Sequence, residues 1–217
     1  MSTLQTTSTE PAPRRSGRVK PLLAAGAVAL LAAGAALVSR QVDAAQVDDA
    51  RTEAARAVRS AELPVGDQAP PVRSDDWLNS APLRPAQLAG KVVLYDFWTF
   101  GCVNCQHTLP YLKAWHQRYA DDGLVVIGVH SPEFSHEAVA TNVAAYVAHE
   151  QIRYPVALDP ELTVWSDFAN RYWPAYYLHD RQGHRRWSHI GEGDYDQAED
   201  AIRALLGVDP GSPRATP

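Results

Sequence analysis

Cys102 and Cys105 are the only cysteines in 217 residues, and they lie in the stretch WTFGCVNCQH. A C-x-x-C pair has four chemical uses: a structural disulfide, half of a zinc site, a haem attachment point or a redox couple. A disulfide across so short a loop removes little unfolded-chain entropy, and a chain that is 46% hydrophobic can build a core without it. Structural zinc takes four protein ligands; no second C-x-x-C exists, and no spacing enlists His107, His116 or His130. Covalent haem needs a His directly after the second Cys, but Gln106 stands there and His107 comes one residue late. The redox couple remains. In that chemistry a thiolate attacks a disulfide, and a second thiol then expels the bound partner.

The elements around the pair decide which sulfur does which. Val92 to Trp98, VVLYDFW, is a continuous apolar run, the mark of a strand covered on both faces. A helical stretch follows from about Val103 to Ala120, with Leu109, Leu112, Trp115 and Tyr119 on one side. Cys102 then sits at a helix N-terminus, where free N–H groups and the helix dipole favour thiolate. Cys105, one turn further in, is the resolving thiol. Asp96 is the one charge in the strand, and a charge there is costly unless used or paired.

Further along, LVVIGVH (Leu124 to His130) reads as a second buried strand, and Ser135 to Glu150 as a helix. A short strand over Tyr154 to Leu158 and a short helix over Trp165 to Tyr172 follow. Ala175 to His179 and Arg185 to Ile190 read as a hairpin, and Tyr195 to Leu206 as a final helix stopped by Gly207. The pattern predicts an α/β sandwich with a mixed sheet flanked by helices.

Residues 1–40 carry a net +4 and the remainder −9. An acidic domain behind a basic leader argues against a nucleic-acid partner. After the basic leader (1–20), residues 21–39 hold no charge; as a helix they would reach roughly 28 Å, about one hydrocarbon core. The flanking charges place the N-terminus inside and the domain outside the membrane. The segment is expected to be a retained transmembrane anchor, with a cleaved signal as the alternative. Residues 40–63 read as a linker or stalk, 64–207 as the folded domain, and 208–217, with three prolines, as a disordered tail.

The segments VVLYDFWTFGCVNCQHTLPYL, LVVIGVHSPEF and YWPAYYLHDRQG resemble the thioredoxin superfamily. More narrowly they are similar to its TlpA/ResA-type members and to the thioredoxin-like domain of DipZ-type proteins, over about Pro64 to Leu206. The resemblance implies a thioredoxin-like sandwich and an extracytoplasmic thiol–disulfide oxidoreductase. Cys102 and Cys105 match the attacking and resolving cysteines. Trp98 matches the aromatic before the active-site loop, and Pro110 the proline that kinks the active-site helix. Pro174 matches a cis-proline facing the disulfide, so that Trp98, Trp173 and Pro174 would bind substrate. Asp96 matches a carboxylate behind the cysteines that takes part in proton transfer.

The resemblance further implies no metal or organic cofactor beyond a redox-active Cys102–Cys105 disulfide. Its partners would be protein dithiols or disulfides, such as apocytochromes c, with electrons from a separate membrane donor of the CcdA/DsbD kind. Val103-Asn104 lacks the Gly-Pro of thioredoxin and the Pro-His of a strong oxidant, and supplies no cation, which favours a reductant. Two rival functions are weaker. A thiol peroxidase needs Pro-x-x-x-Thr-x-x-Cys; Thr99 fits, but Tyr95 stands where the proline should be. A copper chaperone of this fold would use C-x-x-x-C, one residue wider than this pair.

Overall fold

Every residue of the strand β2 (Val92–Trp98) is buried, because both faces of the sheet are covered. The computed structural model describes residues 63–217. Alternation along β2 sends Val92, Leu94 and Trp98 into one core cluster and Val93, Tyr95 and Phe97 into another on the opposite face. By the same alternation Asp96 lies on the first face.

Six strands form one sheet: β1 (Trp77–Leu78), β2, β3 (Leu124–His130), β4 (Val156–Leu158), β5 (Ala175–His179) and β6 (Arg185–Ile190), in spatial order β1-β4-β3-β2-β5-β6. The central β2 runs parallel to β3 and antiparallel to β5, so the expected mixed sheet is present. The helices are α1 (Pro85–Leu88), α2 (Val103–Tyr119), α3 (Ala140–His149), α4 (Thr163–Asp167) and α5 (Tyr195–Leu206). Cys105, Leu109, Leu112, Trp115 and Tyr119 of α2 pack on the Asp96 face of the sheet. Pro110 lies inside that helix and is exposed. Gly207 closes α5 at φ 77°, a conformation glycine adopts without steric penalty.

Three boundaries differ from the pattern reading, and buried carboxylates account for two of them. Helix α3 starts at Ala140, not Ser135. The Glu137 carboxylate accepts from the amides of Glu133 and Phe134 and winds that segment into a tight loop instead. Helix α4 starts at Thr163 and ends at Asp167, not Trp165 to Tyr172. Asp159 accepts from the amides of Val164 and Trp165, capping it early. Strand β4 is shorter than Tyr154 to Leu158, beginning after Pro155.

Residues 208–217, expected to be disordered, fold back on α5. Arg203 is buried and donates to the carbonyls of Asp209 (2.8 Å) and Ser212 (3.0 Å), and Ala215 donates to Glu199 (2.7 Å). Prolines forbid regular structure there, but their carbonyls still accept hydrogen bonds, and a buried guanidinium needs them. The leader, the apolar segment 21–39 and nearly all of the linker fall outside the described residues. Among the described residues no helix is long and apolar enough to cross a membrane.

Candidate active site

Cys102 is the N-cap of α2, with extended backbone (φ −80°, ψ 113°), and its sulfur accepts from the Cys105 amide at 3.4 Å. A sulfur placed there meets the free amides that open a helix, and these stabilise negative charge. Cys102 is half-buried and Cys105 is 4% exposed; both are free thiols. Burial, and the hydrogen bond to Cys102, push the Cys105 thiol far above the usual thiol range. The two sulfurs therefore differ in kind: one reachable at a helix terminus, one protonated and shielded.

Asp96 lies behind them, 1% exposed. Burial raises its carboxyl well above the ordinary carboxylate range, and its charge in turn raises Cys105. Its Oδ1 has no hydrogen-bond partner in the protein. A carboxyl so placed keeps its proton where an exposed carboxyl has already lost it.

The Trp173–Pro174 peptide is cis, as the resemblance implied. Pro174 directly precedes β5, whose Ala175 pairs with Phe97, so it stands beside the end of β2 where the cysteine loop begins. Trp173 is half-buried; its indole donates to the Ser131 carbonyl at 2.9 Å and packs on Trp165. Trp98 is 4% exposed and packs edge-on against His130, so it lies behind the loop and not on its surface. It fits there because Gly128 has no side chain: a Cβ at 128 would stand 2.8 Å from the Trp98 Nε1. His107 is exposed and pairs with Glu192 at 3.0 Å, tying the first turn of α2 to the loop after β6.

Sequence reasoning missed a polar layer under these loops. Thr99, His130, Ser131, Glu137 and Asp159 are all buried. Glu137 accepts from the Gly101 amide at 3.0 Å as well as from Glu133 (2.7 Å) and Phe134 (2.9 Å), and these bonds hold its carboxyl below the usual range. A Cβ on residue 101 would fall on the Glu137 carboxylate, so glycine is required before Cys102. Asp159 accepts from Ser131 Oγ at 3.0 Å, and the Ser131 carbonyl in turn holds Trp173. Desolvation brings the His130 imidazole down to about 4, so it is neutral at pH 7. His130 ends a strand otherwise apolar, the same signal that singled out Asp96. Glu137 and Asp159 sit in loops with no periodic pattern, and nothing in their spacing marks them. Among the described residues no three His, Cys, Asp or Glu side chains come together as metal ligands.

Comparison with known proteins agrees with this geometry. The family model for the AhpC/TSA family matches residues 65–188. Protein DipZ of Mycobacterium tuberculosis is 48% identical over 133 residues, which are 60% of this chain and 19% of that protein. The chain thus spans about a fifth of that relative's length. The thiol-disulfide oxidoreductase YkuV of Bacillus subtilis is 27% identical over 130 residues, 60% of this chain and 87% of that one. Among solved structures, a thiol:disulfide interchange protein DsbE from Chlorobium tepidum superposes with a TM-score of 0.58 at 25% identity, covering 67% of this chain and 99% of its own. The chain belongs to the AhpC/TSA family, and relatives it matches by sequence and by fold are thioredoxin-like thiol–disulfide oxidoreductases.

Proposed function

We propose that the protein exchanges thiols and disulfides with other proteins through Cys102 and Cys105, acting as a reductant outside the cytoplasm. One observation carries the chemistry: a reachable sulfur caps a helix, while its partner sulfur is buried beside a buried carboxyl. The Cys102 thiolate attacks a partner disulfide, forming a mixed disulfide and releasing one partner sulfur. Cys105 then attacks Cys102 Sγ, its proton passing to Asp96, and the second partner sulfur leaves. Trp173 and cis-Pro174 flank the incoming chain; Trp98 supports the loop from behind.

The direction rests on Val103-Asn104, which offers the Cys102 thiolate no cation. Location rests on the basic leader and the uncharged segment 21–39. Substrates would be exported proteins, such as apocytochromes c, and the electron donor a membrane reductant of the CcdA/DsbD kind. A peroxidase reading fits poorly, since the Thr99 side chain is buried and its hydroxyl lies 3.4 Å from His130 Nε2. Cys105→Ser should trap partners on Cys102 as mixed disulfides, readable by mass spectrometry from intact cells. If no adduct accumulates on Cys102, the exchange mechanism is wrong. A reduction potential close to about −120 mV, that of a strong oxidant, would reverse the direction.

A further inference from the structure

On that reading Asp96 gains and loses a proton in every cycle, yet it is only 1% exposed. Its neighbours in the sheet are Gly128 on β3 and Tyr176 on β5. Above Gly128, where a side chain is missing, two polar side chains come together. Trp98 Nε1 lies 2.8 Å, and Tyr154 Cε2 3.1 Å, from the place a Cβ would occupy. Cε2 adjoins the carbon that carries the Tyr154 hydroxyl, and that hydroxyl lies within reach of the Asp96 charge. The Tyr154 ring also meets His116 on α2 edge to face, with ring centroids 6.0 Å apart. Asp96 Oδ1, Trp98 Nε1, the Tyr154 hydroxyl and His116 Nδ1 are all buried without a hydrogen-bond partner in the protein. Interiors hold few such atoms, and a cluster of them is where ordered water makes its bonds. Finally, His116 and Tyr154 both line a surface cavity of about 750 Å³, together with Lys113, Gln117 and Arg153.

We propose that Tyr154 and His116 form the proton exit of the redox centre, passing the proton of Asp96 to solvent in this cavity. The inference rests on the exchange mechanism above. As Cys105 Sγ bonds to Cys102 Sγ, the bond between Cys102 and the partner breaks, and the partner sulfur leaves with the electron pair. The Cys105 proton goes to the Asp96 carboxylate, which exists only after Asp96, protonated at rest by its burial, has lost its own proton through this exit. That proton leaves Asp96 towards the Tyr154 hydroxyl through water. A second water carries the hydroxyl's own proton to His116 Nδ1, and the other ring nitrogen releases one to the cavity. In the opposite redox direction protons enter by the same path.

The groups facing Asp96 are Cys105 from α2, Tyr176 from β5 and Tyr154 from the segment before β4, none of them a cation. At the outer end His116 meets Tyr154, with Lys113 and Arg153 on the cavity wall and Glu150 paired to Lys113 at 3.7 Å. Burial keeps Asp96 protonated more readily than usual and His116 unprotonated, so neither end of the route needs a fixed charge.

The test uses the reduced full-length chain with 5,5′-dithiobis(2-nitrobenzoate). The first thionitrobenzoate released reports Cys102 attack; the second reports resolution by Cys105. General acid–base help is typically at least about 100-fold, so losing one relay group should slow the second release by about tenfold. Tyr154→Phe should do this from pH 6 to 8 and increase the solvent deuterium effect on the second release, leaving the first unchanged. His116→Gln, on the half-buried cavity wall, should do the same and serves if Tyr154→Phe does not fold. If both variants release the second equivalent within twofold of wild type while Asp96→Asn is slow, the exit route is wrong and the role of Asp96 stands. If Asp96→Asn is also fast, the proton-acceptor reading falls and the route with it.

Discussion

Glu137 has no solvent exposure and holds three backbone amides, one of them directly before Cys102. Glu137→Ala would orphan those amides, and a buried donor without a partner costs about 1–3 kcal/mol. We expect a loss of about 3 kcal/mol at pH 7, measured by urea unfolding. The carboxyl is held below its unfolded value, so its contribution is present above about pH 4.3 and disappears as pH falls through the lowered folded value. The gap between wild type and variant should therefore close in acid; a gap that stays constant down to pH 3 would rule out the ionised clamp. Gly101→Ala should destabilise the wild type by about 1–3 kcal/mol through overpacking against that carboxylate, and much less in the Glu137→Ala background. Additive losses in this double-mutant cycle would mean that the contact is not the cause.

At the scale of elements, the strand–helix unit carrying the cysteines could be read in advance because its signals are local. Seven buried residues in a row, a C-x-x-C and an apolar helical stripe place Cys102 at a helix start, and the structure has it there. The onset of α3 could not be read this way. Ser135 looks like a cap, but Glu137, bonding backward to Glu133 and Phe134, takes the amides that a helix would need. The tail was misread for a related reason: composition reports that a segment has no regular structure, not whether a distant Arg203 will bind its carbonyls. Arg203→Met should release residues 208–217 to limited proteolysis. It should also cost about 3 kcal/mol, because the buried Tyr119 hydroxyl and the tail carbonyls lose a charged donor. Unchanged protection of the tail would show that Arg203 does not hold it. Gly128→Ala offers a matching test in the sheet, with about 1–3 kcal/mol expected as Trp98 is pushed off β3.

For the molecule as a whole, two buried histidines set the acid limit. Desolvation lowers both His130 and His179 to about 4. The unfolded chain takes up protons on them near pH 6.5 and the folded chain does not, so their contribution is complete above about pH 6.5 and is lost as pH drops towards 4, while the raised Asp96 carboxyl acts in the opposite sense. Across that window the unfolding free energy of wild type should drop more steeply in acid than that of His130→Gln; equal slopes would remove His130 from the account. The mixed sheet and its core were legible because continuous apolar runs mark β2 and β3, whereas the strand order and the two-residue β1 leave no such local signal. The polar layer beneath the cysteine loop was not legible either, since Thr99, Ser131, Glu137 and Asp159 meet only once β2, β3 and their loops are assembled. The packing of Trp173 on Trp165, with centroids 4.3 Å apart and planes at 38°, has an optical consequence. Two indoles this close share their excited states and give a paired circular-dichroism band of opposite signs. Trp173 is also the residue joined to cis-Pro174, at the mouth of the site. A partner chain docking there as proposed would alter the coupling, which makes the indole pair an unlabelled spectroscopic gauge of occupancy.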